Sequence, residues 1–279
     1  MSGYTNGVNR VNISQAAANI GCDGLPAGTS AEVSSSKLLR GIKGIIFDFD
    51  GTLFDNTHIA FRLVSAYPLD LFKIWKERLI RKRFAGCDYS SSENYFRAFF
   101  AALGKACSRS PQRMQNWYFN RYMPRMVRVL RNHYQLRPGV QELFRHHEIS
   151  GGLRLAVYSD YPFLKERLEA LGFYPGPRLP LYGPESFGAQ KPAVGSFLRI
   201  AGELGVSPEE ILVVGDREET DGIGAFKSGM RFFCLETSHD RYLRFDPNRR
   251  RVKEQLTGPS LVMYAGNWDD LVKLLMENR

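Results

Sequence analysis

The sequence predicts an α/β protein, a doubly wound parallel sheet interrupted after its first strand by a block of helices. Three observations predict it. Short apolar runs recur along the 279 residues and end in carboxylates, hydroxyls or glycine, as buried parallel strands do at their carboxyl ends. Segments with apolar residues at i, i+3 and i+4 separate those runs. Residues 57–137 carry helical patterns alone, with no convincing strand. A hydrophobic content of 43% is ample for a large core.

Residues 1–39 are rich in Ser, Gly, Asn and Ala and too poor in large apolar groups to offset chain entropy, so a flexible tail is expected. Gly44-Ile45-Ile46-Phe47-Asp48-Phe49 reads as the first strand. Helices are expected near 58–82, 91–106 and 111–134, with Pro68 and Pro124 starting or kinking them. This insertion is bounded by Thr52–Asn56 and Arg137-Pro138-Gly139. Leu153–Tyr158 is the next strand, running into Ser159-Asp160. Leu164, Leu168 and Leu171 mark a helix ended by Gly172. Val194, Phe197, Leu198, Ala201 and Leu204 mark another, with Pro192 near its start. Ile211–Val214 runs into Gly215-Asp216, and Phe232–Leu235 and Ser260–Met263 are further strands. Trp268, Leu271, Val272 and Leu275 mark a last helix. The stretch 238–259, with its Arg-rich part Arg241–Lys253, is a polar loop of no legible role. The division expected is a tail at 1–39, a core from 40–56 and 138–279, and a helical unit at 57–137.

Charge and cysteine content exclude several classes. The chain is +9, yet residues 57–137 hold 16 basic residues against four acidic ones, which leaves the remainder at −3. Such a field favours anionic partners: phosphorylated metabolites, nucleic acid or an acidic membrane surface. No apolar run reaches 18 residues, so no spanning helix is expected, and the N-terminus lacks a secretory pattern. Cys22, Cys87, Cys107 and Cys234 form no C-x-x-C pair. That disfavours zinc or a disulfide framework and fits a reducing, cytoplasmic setting.

The chemistry concentrates in Asp48-Phe49-Asp50-Gly51-Thr52. Two carboxylates two residues apart, just off a buried strand, are costly to hold ionised together. A divalent cation resolves that cost, and oxygen ligands that must meet phosphate suggest Mg²⁺. Gly51 lets the backbone approach an anion closely. Ser159 follows the second strand, Lys191 stands in Gln190-Lys191-Pro192 before a helix, and Gly215-Asp216-Arg217-Glu218-Glu219-Thr220-Asp221 carries two acids five positions apart.

In that order, these four motifs closely resemble the haloacid dehalogenase-like hydrolase superfamily, of the phosphatase kind, over roughly residues 42–279. The resemblance implies a Rossmann-like core with residues 57–137 as a helical cap. It implies Asp48 as nucleophile, forming an aspartyl-phosphate, and Asp50 as general acid and then base. Ser159 and Lys191 would hold phosphoryl oxygens, beside Gly51, Thr52 and Asp160. The metal would be held by Asp48, the backbone carbonyl of Asp50 and Asp216, with Asp221 binding it or supporting a ligand. The implied function is a Mg²⁺-dependent phosphatase acting on a small phosphorylated metabolite. A phosphosugar mutase would share the nucleophile and acid–base pair. A dehalogenase suits the motif less, since Asp50 is an acid fit to protonate an alkoxide. A basic binding module on a degenerate fold is opposed by the intact Asp48, Asp50, Lys191 and Asp216.

Other readings of these residues stay open at this level. Ser159 and Asp221 also suit helix caps, and Lys191 a solvated position. His58 reads as a hinge or substrate-side residue. His146 and His147 read as imidazolium groups near a helix end. The insert's aromatics (Trp75, Phe84, Tyr89, Tyr95, Trp117, Tyr118) and basic residues, including Arg81-Lys82-Arg83, suit an anionic or ring-bearing leaving group. They equally suit a bundle with its own core and a solvated basic face, or nucleic acid. Neither substrate nor oligomeric state is legible in the residues.

Overall fold

The computed structural model describes residues 39–236 and 263–277. The tail and the Arg-rich loop fall outside them, as do Ser260–Val262. Six strands form one sheet in the order β3-β2-β1-β4-β5-β6, with every neighbouring pair parallel. They are β1 Gly44–Asp48, β2 Arg154–Tyr158, β3 Leu181–Tyr182, β4 Ile211–Gly215, β5 Arg231–Leu235 and β6 Met263–Gly266. The helices are α1 Ile59–Ser65, α2 Leu71–Phe84, α3 Ser92–Cys107, α4 Pro111–Trp117, α5 Met123–His133, α6 Val140–Ser150, α7 Leu164–Ala170, α8 Pro184–Phe187, α9 Val194–Leu204, α10 Ile223–Lys227 and α11 Trp268–Glu277. β3 has two residues, too few for a periodic signal. The last strand lies a few positions beyond the expected Ser260–Met263.

Alternation along the strands builds two apolar layers. Ile45 and Phe47 face one side with Leu155, Val157, Leu212 and Val214, covered by Leu143 and Phe144 of α6, Leu164 and Leu168 of α7 and Trp268 and Leu271 of α11. Ile46 faces the other side with Ala156, Val213 and Phe232, covered by Phe197, Ile200 and Leu204 of α9. The helices between β1 and β2 share a third cluster, containing Leu63, Ile74, Tyr95, Phe99, Trp117, Tyr118, Tyr122 and Met126.

Two expected helices differ in detail. The one near 58–82 breaks at Tyr67, where Pro68 forces the preceding residue out of the helical region (φ −152°, ψ 78°) and opens a 3₁₀ turn, Pro68–Asp70. The one near 111–134 continues past Pro124 through a π turn at Tyr118–Tyr122, in which the Met123 N–H donates to the Tyr118 carbonyl. The wider turn relieves the clash and the missing donor that proline brings. Cys87 and Cys107 are unpaired thiols. Among the described residues no helix is long and apolar enough to cross a membrane.

Candidate active site

Register places the site. Asp48 ends β1 opposite Tyr158, and Phe47 lies opposite Val214 of β4. Asp48, Ser159 and Asp216 therefore emerge together at the carboxyl edge, beside the point where strand order reverses, which is where such sheets bind ligands.

The carboxylate oxygens of Asp48, Asp216 and Asp221 lie within 4.8 Å of one another. Glycines make the room: a Cβ on Gly51, whose φ is +96°, would collide with Asp216 Oδ2, and one on Gly215 would stand 2.5 Å from Asp221 Cγ. Lys191, 1% exposed, pairs with Asp48 Oδ1 and, at 2.7 Å, with Asp221 Oδ1. Burial alone would discharge the lysine, but Asp221 and Asp48 outweigh it and hold the ammonium charged. Burial pushes the Asp48 carboxyl up to about 6 against the pull of Lys191. Burial, then the charge of Asp48, pushes Asp216 well above the carboxylate range. One lysine does not neutralise three such carboxylates, and Asp216 Oδ1 is buried without a hydrogen-bond partner. That all-oxygen, acidic donor set fits a hard divalent cation.

Asp50 faces elsewhere, so its carboxylate is not part of the cluster. It pairs with Arg167 and accepts the Ser159 hydroxyl at 3.0 Å. Arg167, on α7, is wholly buried, lies 4.5 Å from the Phe49 ring centroid and donates to Ser159 Oγ at 2.9 Å. Sequence reasoning missed this residue. Its signal was position: it stands at i+3 from Leu164 and next to Leu168, on the apolar face of the helix, where a charge persists only if paired.

Several expectations change. Ser159 does not cap a helix: it accepts the Tyr161 N–H at 3.1 Å in a turn that precedes α7. Lys191 is not solvated. Asp221, in the π turn Glu218–Gly222, is spent on Lys191 rather than on a cap. Thr52 is fully buried and its hydroxyl donates to Asp48 Oδ2 at 3.0 Å, which braces that carboxylate. The Asp160 carboxylate accepts the Lys191 N–H at 2.9 Å and faces Arg217, leaving an anion only its main chain. His58 is exposed before α1 and lies off the cavity. His147 is buried, and burial, then His146, lowers its pKa, which makes it a neutral imidazole rather than an imidazolium.

A cavity of about 570 Å³ is lined by Asp48, Asp50 and Lys191 and by Arg78, Arg81 and Lys82 of α2. The basic run splits. Arg81 is buried, donating to Glu77 Oε1 at 2.7 Å, Tyr118 Oη at 2.7 Å and the Asp160 carbonyl at 2.6 Å; Lys82 lines the cavity; Arg83 is exposed away from it. The aromatics expected at a ring-bearing ligand instead build the insert's core, apart from the exposed Trp75. A helical unit of this size must bury a core of its own, and rings supply most of that area.

A family model described as haloacid dehalogenase-like hydrolase matches residues 42–229. Among solved structures, a 2-haloacid dehalogenase from Pseudomonas syringae pv. Tomato DC3000 is 21% identical, with a TM-score of 0.53 over 85% of this chain and 99% of its own. The L-2-haloacid dehalogenase of Xanthobacter autotrophicus is 17% identical, with a TM-score of 0.53 over 85% and 100%. A phosphonoacetaldehyde hydrolase-like protein from Oleispira antarctica is 16% identical, with a TM-score of 0.51 over 86% and 93%. At these identities the likeness establishes the fold alone. No curated protein matches the sequence.

Proposed function

The chain belongs to the haloacid dehalogenase-like hydrolases, and we propose that within them it is a Mg²⁺-dependent phosphatase, hydrolysing a small phosphorylated metabolite through a phosphoryl group carried on Asp48. One observation carries this reading: Asp48, Asp216 and Asp221 cluster, Lys191 pairs with Asp48 and Asp221, and a second acid, Asp50, stands two residues from Asp48. Displacing halide from carbon needs a carboxylate nucleophile but no acid for the leaving group, and extra carboxylates would repel the departing halide. Phosphoryl transfer uses every one of these parts.

Asp48 attacks phosphorus in line, the ester P–O bond breaks, and Asp50 gives its proton to the leaving oxygen. In the second half Asp50 takes a proton from water as the water oxygen attacks phosphorus, and Asp48 departs as a carboxylate. Lys191 and the Ser159 hydroxyl meet phosphoryl oxygens, and Lys191 offsets charge that builds in the transition state. Thr52 fixes the rotamer of Asp48. In the resting arrangement Arg167 and Ser159 grip Asp50, so proton delivery requires it to turn toward the leaving oxygen. Mg²⁺ held by Asp48, Asp216 and Asp221 would screen the nucleophile from the anion it attacks. Residues 57–137 act as a cap over the site, and a cytoplasmic setting suits the unpaired Cys87 and Cys107.

The test is inorganic phosphate release from p-nitrophenyl phosphate with Mg²⁺ and with EDTA, beside halide release from 2-chloropropionate. Expected are Mg²⁺-dependent phosphate release and no halide. Halide release, or no phosphate in Mg²⁺, would overturn the reading.

A further inference from the structure

The cavity lining carries charge that the phosphoryl site does not use. Arg78, Arg81 and Lys82 recur at helical spacing on α2, and all three line the cavity. Arg81 is already neutralised by Glu77. Arg78 and Lys82, one turn apart and separated by about 6 Å along the axis, have neither an ion pair nor a hydrogen bond among the described residues. The same lining holds the apolar Ile59, Leu63 and Met126 beside polar groups that include Asn56, Tyr122 and Glu219.

We propose that Arg78 and Lys82 form a second anion subsite, and that the substrates are short-chain phosphomonoesters whose leaving group ends in a carboxylate or a second phosphate. The inference rests on the phosphatase reading. Arg78 is half-buried and Lys82 exposed, and one anion on the leaving group, reaching both across a single helical turn, would accept a charge-assisted hydrogen bond from each. Ile59, Leu63 and Met126 suit the few carbons that join the two anions. A cavity of about 570 Å³ is on the scale of a small-molecule site. A leaving group without the distal anion would leave Arg78 and Lys82 to water, so the contact with that anion is what would separate analogues.

The experiment compares kcat/KM in Mg²⁺ for three probes: propyl phosphate, 3-phosphooxypropanoate and propane-1,3-diol bisphosphate. Wild type is expected to favour at least one anion-bearing probe over propyl phosphate by about tenfold or more, and which one it favours separates carboxylate from phosphate. Arg78→Gln and Lys82→Gln are each expected to lower that ratio at least about threefold, chiefly through KM. Arg83→Gln, exposed and off the cavity, is expected to leave the ratio alone. Turnover of propyl phosphate by the variants shows that they are folded. A wild-type ratio near one, or a ratio that survives both substitutions, overturns the subsite while the phosphatase stands. Phosphate release from none of the probes overturns the phosphatase reading, and the subsite with it.

Discussion

Asp48 lies between Lys191 and Thr52 with Asp216 and Asp221 beside it, so its charge, rotamer and reactivity are set by different neighbours. Asp48→Asn keeps the shape and removes the nucleophile. Its kcat is expected to fall by more than about 1,000-fold, roughly 4 kcal/mol of barrier, with far-UV circular dichroism unchanged. Turnover within about tenfold of wild type would sink the nucleophile assignment. The other two carboxylates are not equivalent. Asp221 spends Oδ1 on Lys191, whereas Asp216 Oδ1 has no hydrogen-bond partner among the described residues. Asp216→Ala is therefore expected to raise the Mg²⁺ concentration for half-maximal activity more than Asp221→Ala does, and equal or reversed titrations would contradict that order. In the Arg167–Asp50 pair the guanidinium is wholly buried and the carboxylate is 20% exposed, so water can take up part of the charge that losing Arg167 leaves on Asp50. Arg167→Met is expected to cost about 2–3 kcal/mol in denaturant unfolding, less than a fully buried pair would. Combined with Asp50→Asn it should cost less than the sum of the two single changes, by at least about 1 kcal/mol. Additivity would show that the pair does not act as a unit.

At the entrance to α2, Asp70 joins that helix to α5 through Lys73 at 2.7 Å and Arg125 at 2.6 Å. Burial would raise its pKa, but the hydrogen bonds from Lys73 and Arg125 win and bring it down from 3.8 to about 2. With the folded value below the unfolded one, the stabilisation is complete above pH 3.8 and is lost as pH falls from there through about 2. Asp70→Asn is expected to cost about 3 kcal/mol near neutral pH, because buried Arg125 loses its partner. The gap from wild type should narrow toward pH 2 in thermal unfolding series, and a gap that stays constant would refute the linkage. The same elements show what a sequence reveals. β1 and β4 were legible because a strand buried on both faces is a continuous apolar run with its carboxylate at the end. The two-residue β3 carries no period. α6 repeats Val140, Leu143 and Phe144 at helical spacing, but the next place in that stripe is His147, which reads as surface until its burial is seen. Arg167 was illegible because a buried arginine is recognised by its partner, and its carboxylate, Asp50, is 117 positions away. Arg81 has its carboxylate, Glu77, one turn away, a spacing that reads equally as a surface pair; the Tyr118 hydroxyl and the Asp160 carbonyl that complete its buried setting are 37 and 79 positions away.

Over the whole molecule, charge and chemistry are divided between two parts of the chain. Residues 57–137 are +12 and the remainder is −3, while the acids of the site all lie in the remainder. The field of the insert is broader than any single cluster in it, since Arg81 and Arg125 are internal pairs whereas Arg78, Lys82 and Arg83 are not. A phosphorylated substrate approaching the cavity between the two parts meets that field before it meets Asp48. The insert should therefore act on capture, and the chemical step should depend on short contacts that salt screens little. Raising ionic strength from about 50 to about 500 mM at fixed Mg²⁺ shortens the Debye length from about 14 to about 4 Å. Over that range kcat/KM for a phosphomonoester is expected to fall several-fold, while kcat changes by less than about twofold. The same field would attract nucleic acid, whose binding also weakens with salt, so a single-stranded DNA probe belongs in the same series. If kcat fell in parallel with kcat/KM, salt would be acting on the site itself. If kcat/KM held steady while the DNA probe was released, the insert's charge would serve nucleic acid rather than substrate capture.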